Sequence, residues 1–201
     1  GEDAVFLCVN RGTSDSPIYC IEKFQNRLDK NWYVDSGVTT TGSNITTLSG
    51  LDHLEGKTVQ VMADDEFNSE QTVSSGSITI DKQSTTITAG LKFTSKLVPM
   101  PIEPAIRNAE SQGRVKSVSK IMVRFLNTKG AKVGEEGRQL TNYPVLNTTD
   151  PAGTVLSLKA GQQRFFIGSD YERDKLIEIQ QDLPFPMTVL STAINVEIGG
   201  S

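Results

Sequence analysis

Turn-forming residues interrupt this chain so often that few long elements fit between them. "AVFLCVN" runs into "RGTSDS", "VSSG" precedes "SITI", and "DKQS" and "AG" bracket the next apolar run. The stretches between are short and rich in Val, Ile and Thr, and helical periodicity is scarce, a pattern that predicts β-strands closed by turns. Strands are expected in "AVFLCVN" and "PIYCIEKF", then near Tyr33–Val38, Thr58–Ala63, Gln71–Val73, Ser77–Ile80, Thr85–Ala89 and Lys92–Lys96. The clearest strand of the second half is "VSKIMVRFLN", followed by Arg164–Ile167, Leu176–Gln181 and Thr188–Ile198. The expectation is an all-β, mainly antiparallel protein. Its 201 residues, 36% of them hydrophobic, suffice for one large or two small cores.

A break comes at "VPMPIEPAIRNAESQG", because prolines at 99, 101 and 104 cannot sit in a central strand. "PAIRNAESQG" admits either two helical turns or an irregular linker. The predicted organisation is two small barrel-like or sandwich-like units. The first is a barrel-like unit over 1–97, joined through a Pro-rich linker at 98–114 to the second over 115–201. Charge changes sign along the same path: 8 basic and 13 acidic residues in 1–97, 8 and 4 in 98–138, then 4 and 7 in 139–201. The net charge of −4 argues against a broad basic face gripping nucleic acid nonspecifically. The basic middle reads as solvated strand faces. No apolar run approaches the roughly 18 residues of a membrane span.

Alternation in "VSKIMVRFLN" places Ile121, Val123 and Phe125 on a core face and Lys120 and Arg124 on a face turned to solvent or a partner. Residues 134–161 read as a long polar loop containing "NYPVLNTTDPAG". Tyr143 and Leu146, flanking Pro144, are its expected anchors at a partner contact.

The only histidine stands in "GLDHLEGKTVQVMAD" between Asp52 and Glu55. No second histidine completes a zinc set, and no nucleophile with an orienting group is in register with it. The segment reads as a turn anchored by Leu51 and Leu54, leading into a strand. "DDEFNSE" has acids and amides at alternating positions, like the start of a calcium loop. Ser69 stands where such a loop needs glycine and Ser75 where it needs glutamate, so a solvated hairpin tip is expected. Asn44 and Asn147 open glycosylation sequons that need a secretory route. A first hairpin centred near Ser14 sets Cys8 opposite Cys20, close enough for sulfur contact; two buried, reduced thiols are the preferred reading. Trp32, Tyr33 and Tyr19 fit buried anchors better than a sugar-stacking platform. No catalytic, cofactor or metal residues are assigned.

The series "IYCIEKF", "WYVDSG", "ITTLSGLDHLEGKTVQVMAD", "VSSGSITI", "GLKFTSKLVPMP", "ESQGRVKSVSKIMVRFLNTKGAKVG" and "QQDLPFPMTVLSTAINVEIGG" spans nearly the whole chain. It resembles the C-terminal part of the tail nozzle proteins, or tail tubular protein B, of podovirus-type bacteriophages. "GLDHLEGKTV" and "LPFPMTVL" are its most specific pieces. The resemblance implies a non-catalytic virion protein and a homo-oligomeric ring, typically a hexamer. It also implies contacts with a tail adaptor protein and with tail fibres, and a channel that DNA passes without specific binding. It further implies an excised fragment of a longer chain or a short prophage relative. "DDEFNSE" and residues 136–161 depart from that pattern. The competing expectation is a carbohydrate- or receptor-binding β-module of a tail or cell-surface protein.

Overall fold

The structure is a computed structural model. It describes residues 4–24, 33–104, 111, 113–143, 157–168 and 170–199. The chain divides into two compact units, Gly1–Leu91 and Lys92–Ser201. Both are built almost entirely from antiparallel sheets, and none of the sheets closes into a barrel. No helix among the described residues is long and apolar enough to cross a membrane.

The first unit opens with a two-stranded hairpin, β1 (Phe6–Asn10) and β2 (Tyr19–Lys23). It continues with β3 (Asp35–Ser49), β4 (Thr58–Ala63), β5 (Glu66–Thr72) and β6 (Ser77–Leu91), paired in the order β3-β6-β4-β5. Register shifts between Thr41, Ile45 and Thr47 interrupt the long β3–β6 ladder. Such irregularities bend strands, and Leu48, Ile78 and Ile80 share one aliphatic core with Val59, Val61 and Ile87. The β4–β5 connection is a two-residue turn. Asp64 and Asp65 both have positive φ (51° and 63°), as a type I′ hairpin requires, and Ala63 pairs with Glu66. The predicted hairpin tip is therefore only two residues long, and the rest of "DDEFNSE" is strand.

The second unit comprises β7 (Ser95–Leu97), β8 (Lys116–Thr128), β9 (Lys132–Glu135), β10 (Thr141–Asn142), β11 (Lys159–Phe166), β12 (Ile177–Gln181) and β13 (Val189–Ile198). They form two sheets, β10-β9-β12-β7 and β11-β8-β13. Ile121, Val123 and Phe125 of β8 and Phe165 of β11 share a core with Val133 of β9 and Ile177 and Ile179 of β12. Two sheets around one core make this unit sandwich-like. Phe125 sits at its centre, 4.9 Å from the Tyr143 ring and 6.3 Å, edge-on, from the Phe165 ring.

Four sequence expectations change here. The barrel-like first unit is an open, bent sheet with a separate hairpin. The boundary falls at Leu91 rather than after residue 97, because β7 pairs with β12 and so belongs to the second unit. The expected linker is also tied into that unit, since Glu103 accepts hydrogen bonds from Lys116 Nζ (2.7 Å) and Ser111 Oγ (2.8 Å). Finally, the expected loop over 134–161 contains sheet at both ends, because β9 ends at Glu135, β10 follows and β11 begins at Lys159. Residues 144–156, with Leu146 and Asn147, lie outside the described residues, as do Trp32 and most of "PAIRNAESQG".

Candidate functional site

Alternation along β8 does what the sequence pattern requires. Ile121, Val123 and Phe125 are buried, while Arg124 is exposed and Lys120 half-buried on the other face. Register then decides what joins them. Arg164 of β11 pairs with Met122, Gln162 with Arg124, and Phe166 with Lys120. On the other side Ala193 of β13 pairs with Met122 and Asn195 with Lys120. Paired residues share a face of the sheet. The outward face of β11-β8-β13 therefore brings together Lys120, Arg124 and Arg164, with Phe166 72% exposed beside them.

Those three cations form no salt bridge among the described residues, whereas other cations of this unit, such as Lys96, Lys132 and Arg138, pair with carboxylates. The nearest carboxylate in the same outward rows is Glu197, opposite Ser117 toward the far end of β13, where Tyr171 donates to it at 3.5 Å. Arg164 and Phe166 were not expected as contact residues. The signal was the alternation of "QQRFF", which becomes informative only once β11 is paired with β8.

Tyr143 requires a correction. The sequence makes it an anchor of a long polar loop at a partner contact, but it is 6% exposed and packs against Phe125 and Phe165. Burial also raises its hydroxyl pKa. A ring buried in its own core has no surface to offer a partner.

The β1–β2 hairpin presents the opposite kind of surface. Phe6, Tyr19 and Ile21 are 62, 72 and 80% exposed. Pairing of Phe6 with Lys23, Cys8 with Ile21 and Asn10 with Tyr19 sets all three apolar side chains on one outward face. The other face carries Arg11, whose guanidinium makes paired hydrogen bonds to Glu22 (2.8 and 2.6 Å) and to Asp35 (2.6 and 2.8 Å). That fork fastens the hairpin to the start of β3. It raises the Arg11 pKa and, with Ser36, holds the Glu22 carboxyl low.

The cysteines do not face each other, because Cys8 pairs with Ile21 and Cys20 with Val9. The loop spans an even number of residues, closed by Arg11 N–H to Ile18 O at 2.8 Å, so the hairpin centre falls between residues 14 and 15. A one-residue difference in register puts the two thiols on opposite faces. Both are free, Cys8 exposed and Cys20 half-buried, rather than the buried pair expected.

The His53 segment is a short 3₁₀ turn over Asp52–Leu54 with Leu51 and Leu54 fully buried, as the sequence reading required. One of its carboxylates holds the neighbouring β5–β6 turn. Glu55 accepts the N–H groups of Ser75 (3.0 Å) and Gly76 (2.8 Å), and a Cβ at Gly76 would stand 2.4 Å from Asp52 Oδ1. His53 Nε2 lies 3.1 Å from Ser36 O. An open cleft of about 460 Å³ lies beside it, lined by Arg11, Thr13, Ser16, Glu55 and Lys57 among others. Arg11 and Glu55 are already committed to the contacts above. Tyr33 is half-buried and Tyr19 exposed, so the three aromatics weighed as a platform do not behave alike. Among the described residues no cluster of three or more His, Cys, Asp or Glu side chains is arranged to hold a metal.

Comparison with protein families finds no family that matches the chain, and comparison with curated proteins finds no match either.

Proposed function

We propose that this chain is a structural assembly domain whose role is to join copies of itself into a ring within a phage or prophage tail. In this reading it is non-catalytic, belongs to the virion, forms part of a nozzle around the DNA exit channel and contacts an adaptor protein above. Its resemblance to tail nozzle proteins supports this, and the all-β architecture is compatible with it. The observation that carries the reading is the outward face of the hairpin. Phe6, Tyr19 and Ile21 stay exposed on a two-stranded sheet whose edges are both open among the described residues. Contiguous apolar surface of that kind marks an interaction site, and open edges invite pairing with another chain.

Light scattering over a range of concentrations tests it. Wild type is expected to form a particle of defined multiplicity, which electron microscopy resolves as a ring. Ile21→Lys is expected to shift it to monomer while the circular dichroism stays unchanged. A monomer at every concentration, with Ile21→Lys indistinguishable from wild type, overturns the reading.

A further inference from the structure

We infer that the outward face of β11-β8-β13 is a binding surface for single-stranded nucleic acid. This inference does not rest on the ring proposed above, which concerns the hairpin of the other unit.

The first ground is uncompensated charge. Lys120, Arg124 and Arg164 share one sheet face, and none of them pairs with a carboxylate among the described residues. In a chain of net charge −4 that is a local exception to the overall balance. Glu197 is the one acidic side chain in the outward rows, and it lies toward the far end of β13.

The second ground is spacing. Outward residues of one strand recur about every 6.6 Å, two residues at roughly 3.3 Å each. Arg164 is in register with Met122, midway between Lys120 and Arg124. The three cations therefore follow one another at about 6.6 Å intervals along the strand direction, with Arg164 offset to the neighbouring strand. A row of cations at that interval follows the successive phosphates of one nucleic-acid strand.

The third ground is an aromatic. Phe166, 72% exposed and paired with Lys120, gives an unpaired base a ring to stack on. A sheet face that combines cations with an exposed aromatic is a stacking platform beside a phosphate track. Gln162 and Asn195 add amide groups on the same face. An acidic protein partner would satisfy the cations but has no need of the exposed ring, and a duplex keeps its bases stacked away from it.

The test is fluorescence anisotropy of the whole chain with a labelled oligothymidine, titrated at several salt concentrations, beside a duplex of equal length and polyglutamate. Three phosphate contacts predict a slope of log K against log salt of about −2. The double variant R124Q/R164Q is expected to bring the slope to about −0.7. Phe166→Ala is expected to keep the slope and weaken binding roughly five- to hundredfold, the range for loss of one base stack. Circular dichroism and thermal melting confirm that each variant is folded. Binding of polyglutamate or duplex as tightly as oligothymidine overturns the inference, as does binding unchanged in R124Q/R164Q. An unchanged affinity in Phe166→Ala overturns it as well, since the surface would then be a simple cation exchanger.

Discussion

In the first unit no charged side chain among the described residues is buried, several sit at turns and junctions, and the core is aliphatic. Asp64 accepts hydrogen bonds from Thr85 N–H (2.9 Å), Thr85 Oγ1 (2.8 Å) and Thr86 N–H (3.0 Å), and Glu55 holds the β5–β6 turn. The second unit takes its charges inside. The side chains of Lys116 and Lys175 are each 1% exposed, the first paired with Glu103 and the second with Glu135. Arg138 extends the second pair outward to Asp170 (3.1 Å) and Glu172 (2.7 Å). A carboxylate at an exposed turn restrains backbone that water would otherwise solvate. A buried ammonium must keep its partner, because an unpaired ion in a core is far more costly than a lost surface contact. Equal-looking ion pairs in the two units should therefore respond very differently to substitution.

The largest effect should come from the core those ions surround. Phe125→Ala removes the ring between Tyr143 and Phe165 and should destabilise the second unit by roughly 3–5 kcal/mol, read by chemical denaturation. A loss below about 1 kcal/mol would mean the aromatic cluster is not its centre. Lys175→Ala comes next. It leaves the buried Glu135 carboxylate with only the longer contact to Arg138 (3.4 Å) and should cost about 3 kcal/mol. Lys175→Met with Glu135→Leu should recover most of that, because replacing both ions leaves no buried charge. If the double variant is as unstable as the single one, the pair contributes through packing rather than charge.

Asp64→Asn in the first unit should cost less, about 0.5–1.5 kcal/mol, since the turn stays open to water. It also carries a pH signature. The hydrogen bonds from Thr85, chiefly from its hydroxyl, hold the Asp64 pKa below its ordinary 3.8. A lowered folded pKa means that this contribution is complete above the unfolded value and is lost as pH falls through the folded one. The gap between wild type and Asp64→Asn should therefore be constant near neutrality and shrink as pH drops below about 3.8. A gap independent of pH down to 2 would show that the carboxylate's charge is not what matters. Lys120→Ala should have the smallest effect, within about 0.5 kcal/mol. Against Phe125→Ala it checks that β8 turns one face inward and the other outward.

Strand content was legible where alternation was strong. Thr58–Ala63 coincides with β4, and "VSKIMVRFLN" lies within β8. Polar strands were not legible. The "TTTGSNITTLS" half of β3 and "EFNSE" of β5 carry too few apolar residues to announce a strand, and they are held by their neighbours' backbone ladders. Tyr143 was misjudged because Pro144 and the polar residues after it read as loop, while its own ring is recruited by Phe125 from a distant strand. Nothing in the sequence marks Lys116 and Lys175 as buried, because only the fold brings Glu103 and Glu135 to them.

Sequence alone determined the all-β class, the buried row of β8 and the turn that anchors Leu51 and Leu54. Each is set within a few consecutive residues, by side-chain alternation or by backbone angles that glycine and aspartate tolerate. Tertiary structure decided what depends on register between strands far apart in the chain. It placed Arg164 and Phe166 beside Lys120 and Arg124, turned Cys8 and Cys20 to opposite faces and put Tyr143 in the core. A strand's alternation says which residues share its own face. Which residues of the next strand join them is a matter of pairing, and a shift of one position exchanges the faces.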